Sequence, residues 1–177
     1  MGAHTTPASH ADTTLTGAEW DTYIKDNTRI GSVLVLPGAI SDTANLGVVL
    51  TPYVIANIGS ASADGSVHFS FRVPSLFTSI QRAYVVLFND IDATANLRYS
   101  VVTNWAANGE AYNLNTDSIA ATTLAMTQNT MTEIDISAAF TGIAAGDDVG
   151  LRFNRLGSDA LDTGTSSVRV LFFIMEF

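Results

Sequence analysis

The chain has 177 residues, a net charge of −9 and no cysteine, so one domain of this length can bury a core while disulfides, thiolate metal sites and thiol nucleophiles are excluded. Apolar residues make up 47%, charged residues 14%, and the pI is near 4.4. This is too apolar for disorder and lacks the basic track that nucleic acid or an anionic membrane requires. No apolar run is long enough for a membrane-spanning helix.

Residues 1 to 15 are rich in Thr, Ala and His, lack periodicity and read as an extended arm. They show no basic and apolar succession of a secretory signal. Gly2 and Thr6 fit a myristoylation pattern, but no polybasic second anchor follows. Thr16 stands three residues before Glu19, the spacing of a capping box. A helix starting there places Trp20, Tyr23, Ile24 and Asn27 on one face, with Asp21 in its first turn and Lys25 and Arg29 near its end, both favourable to the helix dipole. At about three turns it is marginal in isolation. Its aromatic face therefore docks on this chain or on a partner, and Trp20, Tyr23, Ile24 and Asn27 are the candidate anchoring residues.

After Gly31 the pattern has period two. In Ser66 to Val73, Val67, Phe69, Phe71 and Val73 alternate with Ser66, His68, Ser70 and Arg72, as in a strand with one wet face. Further strands are expected at 32–36, 47–57, 82–89, 97–104, 119–126, 132–136, 149–154 and 168–177, with a helical turn within 137–143. Turn clusters such as Ser62-Ala63-Asp64-Gly65 and Ala107-Asn108-Gly109 separate them. Eight or nine short strands without long helices predict an all-β fold, an antiparallel β-sandwich or jelly roll of about eight strands. The expected organisation is an arm and short helix over 1–30 and a β-domain over 31–177. The last strand carries Val168, Val170, Phe172 and Ile174 on one side and Leu171, Phe173, Met175 and Phe177 on the other. Two apolar faces point to a homo-oligomer whose contact includes the second set, unless the chain covers that face itself.

Little in the sequence carries catalytic chemistry. His4, His10 and His68 share no metal-ligand spacing, and no serine lies in a nucleophile elbow. Loop acids Asp90, Asp92, Glu110, Asp117, Asp147 and Asp148 are the material for a convergent carboxylate pair, but solvated acids at strand ends account for nearly all such sets, and no enzyme is expected. No cofactor is expected. Calcium is the inorganic ligand best served, with Asp90 and Asp92 after one strand and Asp159 and Asp162 in a later loop as candidates. Each loop offers fewer side-chain oxygens than the roughly 6–8 that calcium takes. Tyr99, Trp105 and Tyr112 flank a stretch containing Asn108, Glu110, Asn113 and Asn115. Rings stack on the C–H faces of sugars while amides bond hydroxyls, so Trp105, Tyr112, Asn108 and Glu110 are candidate glycan contacts. Alternatively, Trp105 and Tyr99 are core residues at a strand end.

The segment Leu15-Thr16-Gly17-Ala18-Glu19-Trp20-Asp21-Thr22-Tyr23-Ile24-Lys25-Asp26-Asn27 resembles one that recurs near the N-terminus of tailed-bacteriophage structural proteins, departing from it at Gly17, Asp21 and Lys25. The pieces Asn96-Leu97-Arg98-Tyr99-Ser100, Asn104-Trp105, Gly109-Glu110-Ala111-Tyr112-Asn113, Gly146-Asp147-Asp148-Val149-Gly150 and Asp159-Ala160-Leu161-Asp162-Thr163 resemble β-rich domains of phage virion proteins. The resemblance implies a non-enzymatic virion component, a capsid decoration or head-fibre protein or a short tail-fibre or tail-tip component. It would be a homotrimer located on the virion and anchored to other virion proteins through the arm. The alternative is a carbohydrate-binding adhesin that takes a host glycan at the surface around Trp105 and Tyr112.

Overall fold

A computed structural model describes residues 33–37, 39–40, 48–50, 54–58, 62–89, 94–166 and 168–177, with side chains from Ile58 onward. The expected arm and helix, with Trp20, Tyr23, Ile24 and Asn27, lie outside the described residues, as do Asp90 and Asp92.

Eleven strands are described: β1 Val33–Pro37, β2 Ala39–Ile40, β3 Val48–Leu50, β4 Val54–Ile58, β5 Gly65–Arg72, β6 Arg82–Asn89, β7 Thr94–Ala106, β8 Asn115–Thr127, β9 Thr130–Asp135, β10 Asp148–Arg155 and β11 Val168–Glu176. One 3₁₀ turn, Ser137–Phe140, falls inside the span read as a helical turn. The described residues are nearly all-β, as expected of the domain, with more strands than the nine segments marked by periodicity. The stretch 47–57 divides into β3 and β4, which pair with each other; the intervening residues include Pro52, which has no amide to offer a ladder. The two-residue β2 is too short to show a period.

The strands form two sheets. The first has the order β3-β4-β11-β6-β9, with β1 also paired to β11, and the second has the order β2-β5-β10-β7-β8. The ladders that β10 makes with β5 and β7, and β11 with β4 and β6, are all antiparallel. The sheets pack face to face on the inward halves of the alternating strands. Phe173 of β11 lies 5.7 Å from Phe69 and 5.3 Å from Phe71 of β5, ring centre to ring centre, and 5.6 Å from Phe140 of the 3₁₀ turn. Val67, Phe69 and Val73 are fully buried and Phe71 partly so, as the period predicts.

On β11 the alternation breaks. Its pairing with β6 slips between Val170 and Phe172, so Leu171 is an extra residue and the inward set changes from Val168 and Val170 to Phe173 and Met175. Such a bulge reverses the parity of every later side chain. Phe173 and Met175, expected at an oligomer contact, are therefore fully buried in the sandwich, and Phe177 packs at the core margin 5.8 Å from Phe77. Leu171 instead joins Tyr84 and Val86 in a second cluster, flanked by Phe88, Phe172 and Ile174, on the other face of the first sheet. Leu171, Tyr84 and Val86 are buried within the single chain, while Phe88, Phe172 and Ile174 beside them are only partly buried.

Candidate functional site

The outward face of the second sheet is built by the polar halves of β5, β10 and β7. Register sets them in rows: Arg72, Asp148 and Ala106; then Ser70, Gly150 and Asn104; then His68, Arg152 and Val102. Over the first two rows, under the loop that follows β7, lies a groove of about 700 Å³ lined by Ser70, Arg72, Asn104, Asn108, Glu110 and Tyr112 among others, with Gly150 in its floor.

Each wall is fixed locally. Arg72 donates through Nε and Nη2 to the two oxygens of Asp148 at 2.9 and 2.7 Å, a bidentate pair across adjacent strands. These bonds from Arg72 hold the Asp148 carboxyl below its usual range. Asp147, just before β10, accepts from the Ala144 amide at 2.8 Å and closes a turn in which Gly146 has φ +90°. The Val73 amide donates to the Asp147 carbonyl at 2.8 Å, aligning the start of β10 with the end of β5. In the loop, the Glu110 amide donates to the Ala107 carbonyl while Glu110 Oε2 accepts from the Ala107 amide at 2.9 Å. Gly109 takes φ +91° in that turn, a conformation that favours glycine. The turn and the following one, closed by Leu114 N–H to Ala111 C=O, leave the Tyr112 side chain 82% exposed at the rim. At the floor, a Cβ added to Gly150 would meet no atom within 4 Å. A glycine inside a strand costs pairing strength and often marks close approach by a ligand.

The expected glycan contacts are thus brought together with one exception. Asn108, Glu110 and Tyr112 line the groove, whereas Trp105 points inward and is 6% exposed in the main core. Parity decides this: Trp105 shares its face with Thr103 and Val101, both fully buried. Tyr99 is likewise a core ring, stacked 5.4 Å from Phe153. Sequence reading missed Ser70, Arg72, Asn104 and Gly150, although the polar half of the 66–73 alternation was the signal that places Ser70 and Arg72 on the wet face.

Two of the acids considered for carboxylate catalysis, Glu110 and Asp148, share the groove. Asp148 is held ionised by Arg72, the opposite of what a general acid needs, and Glu110 closes its own turn. Among the described residues no group of three His, Asp or Glu side chains is arranged to hold a metal. The calcium candidates Asp159 and Asp162 are occupied by arginines. Arg155 donates to both oxygens of Asp162 at 3.1 and 2.7 Å, and Arg98 to Asp159 at 3.3 Å. A guanidinium fills the place proposed for the cation.

No protein-family model and no curated protein matches the chain. Solved structures similar to it include an Arthrobacter globiformis T6 isomalto-dextranase complexed with panose, at TM-score 0.50 and 16% identity over 82% of this chain. The chain spans 23% of that enzyme's length, and the likeness is one of fold. Also similar are the family 11 carbohydrate-binding module of Clostridium thermocellum, in complex with a β-1,3-1,4-mixed-linked tetrasaccharide, and the CBM22-2 xylan-binding domain of Paenibacillus barcinonensis Xyn10C. Their TM-scores are 0.37 and 0.31 and their identities 9% and 13%; the matches cover 81% and 71% of this chain and 81% and 88% of theirs.

Proposed function

We propose that the chain is a carbohydrate-binding module that takes an oligosaccharide in the groove on its second sheet. The observation that carries this is the glycine-floored trough itself: Gly150 leaves the sheet backbone open between Ser70 and Asn104, in a groove that the exposed Tyr112 also lines. A ring for the C–H face of a sugar, hydroxyl and amide groups for its hydroxyls, and an internally neutralised ion pair at the wall suit an uncharged, densely hydroxylated backbone. The order β4-β11-β6-β9 over β5-β10-β7-β8 supports reading the sandwich as an eight-strand jelly roll with β1 to β3 added to it. The fold alone carries no function, and the proposal rests on the site.

The test is a glycan array with the wild type and Gly150→Tyr. A side chain at 150 has room and favours a strand, so the variant keeps or raises the melting temperature while filling the trough. Binding by the wild type and its loss in Gly150→Tyr is the expected result. No glycan bound by the wild type, or equal binding by the variant, refutes the proposal.

The resemblance of residues 15–27 and of the later segments to phage proteins favours a setting for this module, display on a tailed-phage particle with residues 1–30 as the anchor. Deleting residues 1–28 should leave the sandwich folded and abolish incorporation into particles; normal incorporation refutes the anchor.

A further inference from the structure

Among the described residues, the face that holds the groove also holds a cation without a counter-charge. Among the described arginines, Arg72, Arg82, Arg98 and Arg155 each hold a carboxylate, and Arg169 has partners of its own. The Arg152 side chain is exposed on β10 and, among the described residues, forms no ion pair or hydrogen bond. It lies two residues from Gly150 on the same face, about 7 Å along the strand and within reach of the trough. Its cross-strand neighbours are His68 and Val102, and the row beyond is Ser66, Asn154 and Ser100. Asp148, the acid of this face nearest in the register, is already bidentate to Arg72. In a chain of net charge −9, an arginine surrounded by hydroxyl, amide and imidazole groups has its fork open to a ligand anion.

Resting on the carbohydrate reading above, we infer that the groove selects acidic glycans, with Arg152 receiving an anionic group, a uronate carboxylate or a sulfate ester, on a sugar seated over Gly150. Arg152 acts as a specificity determinant; Tyr112, Ser70 and Asn104 contact the neutral backbone.

Full-length protein is titrated with uronate-containing oligosaccharides, each paired with its carboxyl-reduced neutral counterpart, and with sulfated and desulfated pairs. The wild type should prefer the acidic member of a pair by about tenfold, the scale of one exposed charge-assisted contact. Raising the salt concentration should shrink that preference. Arg152→Gln should erase the preference while leaving the affinity for the neutral member and the melting temperature unchanged. The pair showing the effect distinguishes carboxylate from sulfate. Equal affinity for acidic and neutral members in the wild type, or a preference that survives in Arg152→Gln, overturns this inference and leaves the carbohydrate reading standing. Failure to bind any member overturns both.

Discussion

Arg155→Met is the perturbation whose magnitude the structure defines best. Arg155 ends β10, opposite Gly65 and Tyr99, and its side chain is fully buried with Asp162, whose own side chain is 1% exposed. The guanidinium donates to both Asp162 oxygens, to the Gly164 carbonyl at 2.8 Å and to the Ser166 carbonyl. Asp162 in turn accepts from the Arg98 amide at 3.0 Å and ties the loop to β7. Methionine matches the length of the stem but leaves a buried carboxylate without its cation and removes the guanidinium donors from the Gly164 and Ser166 carbonyls. Breaking a buried pair from one side costs about 3–5 kcal/mol. For a domain of this size each kcal/mol lowers the melting temperature by about 2–4 °C, so the expected fall is about 6–20 °C. Urea unfolding with an unchanged m-value, supported by calorimetry, measures it. Gly164→Ala probes the same contact from the loop side, because its Cβ would sit 2.8 Å from Arg155 Nη2; about 1–3 kcal/mol is expected from this overpacking. Arg155 is five residues from Gly150 along β10, about 17 Å, so glycan affinity of the folded variant should hold. A loss below about 1 kcal/mol in Arg155→Met refutes the view that this clamp holds the loop as a buried ion pair.

Three further outcomes follow from the same geometry. Trp105→Ala should cost about 3–5 kcal/mol in denaturant unfolding, as expected for a large core side chain, and near-wild-type stability would contradict its inward placement. Tyr112→Ala should leave the melting temperature within about 2 °C, since surface changes are usually within about 0.5 kcal/mol, and should weaken glycan binding by about tenfold, the scale of one ring contact; isothermal titration distinguishes the two effects. The Ser137 hydroxyl donates to Asp135 at 2.7 Å, and this bond, joined by the Ser137 amide, holds the carboxyl below its usual range. A depressed folded-state value means stability present above the unfolded value, about pH 4, and lost as pH falls through the folded one. Ser137→Ala should therefore be less stable than wild type at neutral pH, with the gap narrowing below about pH 4 to the part set by the Ala83 amide, which donates to the Ser137 hydroxyl at 2.8 Å; a gap that stays constant to pH 2 in acid unfolding would sink this account.

The sequence carried the local part of the protein. Alternation over Ser66 to Val73 and the apolar run within Arg82 to Asn89 marked strands whose ends match β5 and β6 within a residue. The 107–114 loop could be marked as aromatic and amide-rich because composition and turn residues are local properties. Long-range pairing decided the rest. The bulge that turns Phe173 and Met175 into the core is created by register against β6, and no period within β11 encodes where the slip falls. Trp105 and Tyr112 are seven residues apart and look alike as sugar platforms; the parity of β7 sends one ring into the core and the following loop holds the other in solvent. Ser70, Gly150 and Asn104 are distant in the chain and become one row only when β5, β10 and β7 are laid side by side. Asp159 and Asp162 read as cation ligands until the fold delivers Arg98 and Arg155 to them. Hydrophobic period and turn chemistry act over a few residues and can be read along the chain, whereas a binding face arises from register between strands, which is set by the packing of the whole sandwich.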